Sequence, residues 1–508
     1  KKFSKDIDWW ATLPASRNPL VSDLFRNICI LETLKILSKR KKKIIIKVDS
    51  LIIADLISEW SKKEGTFIEV DCNEKKLIFK DFFKFLKSVF FHIFIFLWIN
   101  LFVKRKFFPQ NKDTVLIHTF ASKTSQYDER LFFGLRDFFK KNKIKNVYFV
   151  PSLISAKNLF KIVKVINIRN KENYIFKEHY INIKDIVYAI FHFWRSKKFI
   201  TKYTLYKNWD LTNLVCGEIN SLKDYSSKIM LILNYKFSEN LSRRKIKLKK
   251  TISWHETQVD KGWNFGFRKH FPSIKTYGYQ GFPNLPQLMH TIPTSAENSA
   301  KVLASEIITI GKLYLKPRKE FFPKLKISVG PALIYQDIFK NYKKSYKIKI
   351  LVILSGIKSQ NITILNWISE ISRTNSNFKI FIKPHKELPL KNASFELNEN
   401  LKITNEPLSS LLKKTKIAIS TGATSATLEA LAYNCYLVIP VFNVFDEINF
   451  KVLKIPQSKY SFVYSQNNLL NRLKELNSNK KKQKMKLEKK FQNKLFSKIN
   501  ISNLKYFY

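Results

Sequence analysis

Phe378 to Glu387 reads FKIFIKPHKE, and Lys416 to Val441 reads KIAISTGATSATLEALAYNCYLVIPV. An apolar run of strand length, a polar loop, a second apolar run, a turn rich in small residues, a helical stretch and a third apolar run follow one another. That rhythm belongs to a parallel α/β sheet. The turn Ser420, Thr421, Gly422, Ala423, Thr424, Ser425 falls where the strand Ile417 to Ile419 ends and the helix Ala426 to Tyr433 begins. The first N–H groups of a helix have no partners within it, and the helix dipole adds positive character, so such a turn suits a phosphate or carboxylate. Its plainer alternative is an N-cap.

The same unit starts upstream with the strand Ile348 to Leu354, which closes on Ser355 and Gly356, and continues through helices at Ile362 to Ser372 and Ser409 to Lys414. Lys383 and His385 end the strand before the turn. Open α/β sheets bind ligands beyond the carboxyl ends of their strands, so Gly356, Lys383, His385 and Ser420 to Ser425 form a candidate pyrophosphate site. Glu429 lies one helical turn after Ser425 and shares its face, where a carboxylate suits ribose hydroxyls. Taken singly, Lys383 also reads as a surface charge and His385 as a structural histidine.

The middle of the chain repeats the alternation. A strand, Thr251 to Trp254, runs into HETQVDKGWNFGFRKHFP, and a strand, Ile274 to Tyr277, runs into GYQGFPNLP. Glu256 and Gln280 therefore fall just past neighbouring strand ends. A desolvated Glu has the raised pKa that suits a general base, which makes Glu256 the first candidate and His255 its rival. Each also reads as a strand-end residue with an ordinary structural partner. The strand Thr114 to Thr119 leads into a loop carrying Tyr127, Asp128 and Arg130, which reads either as an acceptor contact or as a capped helix start with a surface ion pair. Lys316 to Lys326 reads as an interdomain connector. The segment NSNKKKQKMKLEKK reads as a charged helix, solvated or packed back on the first domain.

At 508 residues the chain predicts more than one core. Its formal charge of +53, from 92 Lys and Arg against 39 Asp and Glu, fits an anionic partner. No zinc-finger, homeodomain or RNA-binding signature accompanies the charge, so nucleic acid is not expected, and anionic phospholipid is preferred. Cys29, Cys72, Cys216 and Cys435 are widely spaced, which argues against a zinc site or disulfide framework and for a reducing cytoplasm. The opening residues lack the apolar core of a signal peptide, and since the first residue is Lys, the natural start is expected upstream. Residues 82–103, FFKFLKSVFFHIFIFLWINLFV, precede Lys104-Arg105-Lys106 and have three readings: a membrane-surface or shallowly inserted helix, a span, or a buried core helix. Ile186 to Trp194 reads as a core helix, with a second membrane contact as the alternative.

The run IKPHKELP with ISTGATSATLEALAYNCYLVIP resembles the nucleotide-binding half of GT-B glycosyltransferases. The pieces SQYDERLFFGLRDFF, SWHETQVDKGWN and YGYQGFPNLPQLMH with IITIG resemble bacterial surface carbohydrate biosynthesis proteins of O-antigen or capsule assembly. The resemblance implies two facing Rossmann-like domains: an acceptor-side domain over 1–326 with the apolar insertion 82–103, a nucleotide-sugar domain over 327–476, and a basic C-terminal helix over 477–508. It implies donor contacts from Gln280, Gly356, Lys383, His385, Ser420 to Ser425 and Glu429, with Glu256 in the acceptor cleft and neither metal nor cofactor required. The expected activity is sugar transfer from a nucleotide-activated donor to a lipid-linked or growing polysaccharide, at the cytoplasmic face of the inner membrane. The alternatives are a UDP-sugar 2-epimerase of the same architecture and a non-catalytic adaptor binding membrane or glycan.

Overall fold

The computed structural model describes residues 3–40, 43–72, 78–109, 112–121, 131–154, 159–170, 173–200, 203–256, 258–283, 288–386, 388, 390, 398–420, 425–478 and 489–508. Its framework is two six-stranded sheets. The first contains β1 (Thr114–Ala121), β2 (Val147–Leu153), β3 (Leu248–Trp254), β4 (Lys275–Gln280), β5 (Glu306–Thr309) and β6 (Ile327–Val329), in the spatial order β6-β5-β4-β3-β1-β2. The second contains β7 (Ile348–Ile353), β8 (Ile380–Lys383), β9 (Leu401–Ile403), β10 (Thr415–Ser420), β11 (Tyr436–Pro440) and β12 (Tyr460–Val463), ordered β9-β8-β7-β10-β11-β12. Every pairing within both sheets is parallel.

These orders carry meaning. Counted from its own first strand, the second sheet runs 3-2-1-4-5-6, the doubly wound dinucleotide-binding order, with its reversal between β7 and β10. The first runs 2-1-3-4-5-6, the flavodoxin-like order, with its reversal between β1 and β3. The chain is thus an α/β protein of two Rossmann-like units, as expected from the sequence. The division expected at residue 326 shifts, however: Ile327 pairs with Ile307 and Val329 with Thr309, so β6 closes the first sheet and the crossing to the second follows it. A three-residue strand bears too little periodicity to be seen without its partner.

Side-chain alternation along the strands sorts the cores. On β1, Leu116 faces a cluster with Ile229, Leu233 and Trp263, while Val115 and Ile117 face a second cluster. That second cluster runs without a break into the other domain, through Leu333, Tyr335, Leu351, Leu428, Leu431 and Phe496. The two domains therefore share apolar packing at the base of their cleft. The segment after residue 488 belongs to this seam: it returns to the first domain, where Ser497 N–H donates to Ile310 O (2.7 Å) and Leu495, Phe496, Leu504 and Phe507 are buried. The single basic helix expected there is two short helices, Lys489–Leu495 and Ile501–Leu504, within the described residues.

Four helices position the first domain's site or flank it: α1 (Ile78–Phe102), α2 (Ile183–Ile190), α3 (Tyr225–Arg243) and α4 (Val259–His270). The approach of α3 to α4 leaves no space at Gly262, where a Cβ would stand 1.9 Å from Leu231 O. The helix α1 is long and apolar enough to cross a membrane, yet one face of it is docked. His92 meets Ser226 Oγ at 3.0 Å, Asn100 Nδ2 donates to Glu178 O at 3.1 Å, and His179 Nε2 lies 3.1 Å from both Ile99 O and Val103 O. Phe83, Phe90, Leu97 and Leu101 remain exposed on the opposite face. In the segment Ile186 to Trp194 the core reading holds for Ile186, Ala189 and His192, whereas Val187, Phe191 and Trp194 are about half exposed.

Candidate active site

Glu256 lies two residues past the end of β3, beside the strand reversal of the first sheet. Its two carboxyl oxygens have defined donors: Trp254 Nε1 reaches Oε2 at 3.0 Å, and the Phe282 N–H reaches Oε1 at 3.2 Å. Gly281 allows that loop to pass, since a Cβ there would stand 2.0 Å from the Trp254 ring. Burial pushes the Glu256 carboxyl up from an ordinary 4.5 to about 8, against the opposing pull of the Trp254 and Phe282 N–H groups and of Arg318. A carboxyl so raised can give or take a proton near neutrality.

Around it stand residues that the sequence did not single out. Arg318, on the turn Pro317–Lys319, is buried, and burial lowers its pKa to about 10 although Glu256 and Tyr314 favour its charge. His290 contacts the Glu256 backbone carbonyl and is held neutral, with its pKa near 4, by burial and by the nearby Lys261 and Arg17 charges. The segment read as a connector thus supplies a cation to the cleft; its burial comes from β6 returning to the sheet, which local composition does not announce. The N-terminal residues form the cleft's outer support. Gln258 Nε2 donates to Trp10 O and Thr12 O at 2.9 and 3.0 Å, and Lys261 Nζ donates to Ala15 O at 2.6 Å. Asp8 anchors that segment through a two-point bond from Arg195 (2.7 and 2.9 Å) and a contact with His192 Nδ1 (3.0 Å).

His255, the rival base, is buried with neither ring nitrogen hydrogen-bonded among the described residues, and burial lowers its pKa. Gln280 is the last residue of β4 rather than a loop residue. It is 2% exposed, and its Nε2 donates to Thr291 O at 3.0 Å, an arrangement that braces the wall of the cleft. Tyr127, Asp128 and Arg130 lie outside the described residues, as do Thr421, Gly422, Ala423 and Thr424.

In the second domain, α5 (Lys358–Thr374) follows β7, and α6 (Ser425–Ala432) follows β10, so the start of α6 lies at the strand reversal. Gly356 and His385 meet there: the His385 ring stands 3.6 Å from the place a Gly356 Cβ would occupy. Lys383 is partly buried, and burial lowers its pKa while Glu406 opposes the shift. The buried Ser420 hydroxyl pairs with Thr427 Oγ1 at 3.0 Å and pins the strand end to the first turn of α6. Ser425 and Glu429 do share a face of α6, four residues apart.

Tyr335 links the halves. It sits in the crossing between the sheets, in the segment Leu333–Phe339, buried, with its ring 4.5 Å from that of Phe496. Burial first, and then the nearby Glu429, Tyr314 and Glu256, hold its hydroxyl well above the usual tyrosine range. Among the described residues, no three His, Cys, Asp or Glu side chains cluster as a metal site.

No family model matches the chain, and no curated protein matches it in sequence. Among solved structures it is similar to the kitacinnamycin glycotransferase, at 8% identity over 74% of this chain and 93% of that one, with a TM-score of 0.43. It is similar as well to the UDP-GlcNAc 2-epimerase of Methanocaldococcus jannaschii (12% identity, 72% and 93% covered, TM-score 0.40) and to MurG of Acinetobacter baumannii (10%, 73% and 92%, TM-score 0.40). With TM-scores below 0.5, these likenesses bear on neither activity nor substrate.

Proposed function

We propose that this chain is a glycosyltransferase that moves a sugar from a nucleotide-activated donor to a lipid-linked or growing surface glycan at the cytoplasmic face of a membrane. The observation that supports it most is the placement of a buried carboxyl, Glu256, and of the start of α6 each beside the strand reversal of its own doubly wound sheet. In this reading the N–H groups opening α6, with Lys383 and His385, receive the donor phosphates, and Glu429 receives ribose hydroxyls. Glu256, once deprotonated, takes the proton of the attacking acceptor hydroxyl while positive groups stabilise the departing nucleotide phosphate. The buried Arg318 guanidinium favours the anionic form of Glu256 and so supports its turn as base.

The acceptor's membrane fits α1. Its outer row of Phe83, Phe90, Leu97 and Leu101 is flanked by Lys84, Lys87, Lys104 and Arg105, the composition of a helix lying in an anionic interface. The polar contacts along its inner face would all break in a span, which favours the flat arrangement.

The test is nucleotide release from a panel of UDP-, GDP-, CDP- and CMP-sugars, with membranes of a polysaccharide-producing bacterium as acceptor, for the wild type and Glu256→Gln. Acceptor-dependent release that Glu256→Gln abolishes is the expected result. Sugar interconversion without acceptor points to the epimerase, and an absence of thermal shift with CMP, UDP, GDP and CDP points to the adaptor.

A further inference from the structure

A buried polar chain runs through the first domain and ends on Glu256. Asp260, in the first turn of α4, accepts the Glu256 N–H with Oδ2 at 3.2 Å and meets His118 Nδ1 with Oδ1 at 3.2 Å. His118, on β1, meets Ser152 Oγ of β2 through Nε2 at 2.9 Å and stacks on Trp263 at 5.0 Å. Lys177 Nζ closes the chain by donating to Ser152 Oγ at 2.9 Å and to Asn234 Oδ1 at 2.8 Å. Asp260, His118, Ser152, Asn234 and Lys177 are each no more than 2% exposed.

We propose that Asp260 and His118 are positioning residues for Glu256: together they fix the turn that follows β3 and set the charge against which its carboxyl titrates. This rests on the reading of Glu256 as the base. A buried polar chain is costly unless every member is satisfied, and apolar residues of the same volume would pack the sheet as well. This one spans β1, β2, α3 and α4, and its far end is the backbone N–H of Glu256. Burial lowers the His118 pKa, which leaves the neutral ring with Nδ1–H donating to Asp260 and Nε2 accepting from Ser152.

The carboxyl of Glu256 faces Trp254 Nε1 on its own strand, the Phe282 N–H, Arg318, Tyr279 on β4, Tyr335 and Asp260, while His290 holds its backbone carbonyl. Asp260 is the carboxylate among them, and its charge acts to raise the Glu256 pKa beyond the effect of burial. Neutralising Asp260 therefore moves that titration downward, and removing its His118 donor alters the charge that Glu256 meets.

Trp254 supplies a probe that needs no substrate, because its indole N–H donates to Glu256. In the full chain labelled with 5-fluorotryptophan, the Trp254 fluorine resonance, identified by its loss in Trp254→Phe, is followed from pH 5 to pH 9. The expected wild-type midpoint is about 8 and vanishes in Glu256→Gln. Asp260→Asn is expected to lower it by several tenths of a pH unit and His118→Ala, which strips the Asp260 carboxylate of its Nδ1–H donor, to displace it by a similar amount, whereas His118→Asn, whose amide replaces that donor, retains it. Unmoved midpoints in the first two, or a His118→Asn midpoint displaced as far as that of His118→Ala, would overturn the proposal; should Asp260→Asn not fold, the two His118 variants decide. The base assignment is judged separately by Glu256→Gln turnover, so an active Glu256→Gln enzyme removes that reading while the midpoints still test the positioning.

Discussion

Replacing Glu256 with Gln tests the central electrostatic claim through stability. Gln is the neutral isostere of the protonated carboxyl, so it keeps the shape of the site and removes only the ionisation. In the unfolded chain Glu256 loses its proton near 4.5, and in the folded chain it keeps it until about 8. The folded state binds more protons across that window, so the wild type loses stability as pH rises from about 4.5 to about 8, and the loss is complete above it. A displacement of that size corresponds to about 5 kcal/mol at the limit. Solvent at the partly exposed edge of the carboxyl reduces this, and a measured span of about 2–4 kcal/mol is expected. Urea unfolding of both proteins at pH 5, 7 and 9 reads it directly. The two should be near parity at pH 5, and Glu256→Gln should be the more stable at pH 9. A difference that stays constant with pH would refute the reasoning, because it would mean that Glu256 titrates alike in both states.

Further outcomes follow from individual contacts. Tyr335→Ala removes a buried ring packed 4.5 Å from Phe496 and is expected to cost about 3–5 kcal/mol in unfolding free energy, read by urea titration. Gly281→Ala forces a Cβ into the Trp254 ring and should cost about 1–3 kcal/mol, with altered Trp254 fluorescence. Phe507→Ala empties a fully buried site between β4 and the first-domain core and should lower stability by about 3–5 kcal/mol in urea titration. The pair Phe90→Glu with Leu101→Glu alters only the exposed face of α1, so phosphatidylglycerol-vesicle binding in a flotation assay should fall while the melting temperature holds.

Much of this architecture was legible in the chain. The strands of the second sheet are short apolar runs bounded by small or polar residues, and β7, β8, β10 and β11 lie within a residue or two of their expected limits. Glu256 was legible for the same reason: a polar residue right after an apolar run marks a strand end. The partners of Gln280 and Ser420 were not legible, because strand-end position says nothing of side-chain partners. Gln280 meets Thr291 O, and Ser420 meets Thr427 seven residues on. The 82–103 stretch was ambiguous since hydropathy cannot tell a docked face from a lipid-facing one; contacts of His92, Asn100 and His179 with distant residues show that one face of it is docked.

By itself the sequence determined that this is a parallel α/β protein of two units, since periodicity and small-residue turns are local properties of the chain. It also indicated where each unit's strands end. Only the tertiary structure decided the strand orders that put Glu256 and the start of α6 at reversal points, and only it carried Arg318, Tyr335 and the His118–Asp260 pair to the cleft. The physical reason is range. Helix and strand preferences are set by neighbours a few residues apart, whereas burial and charge around Glu256 come from residues such as Trp254, Phe282 and Arg318 that meet only when the sheet closes.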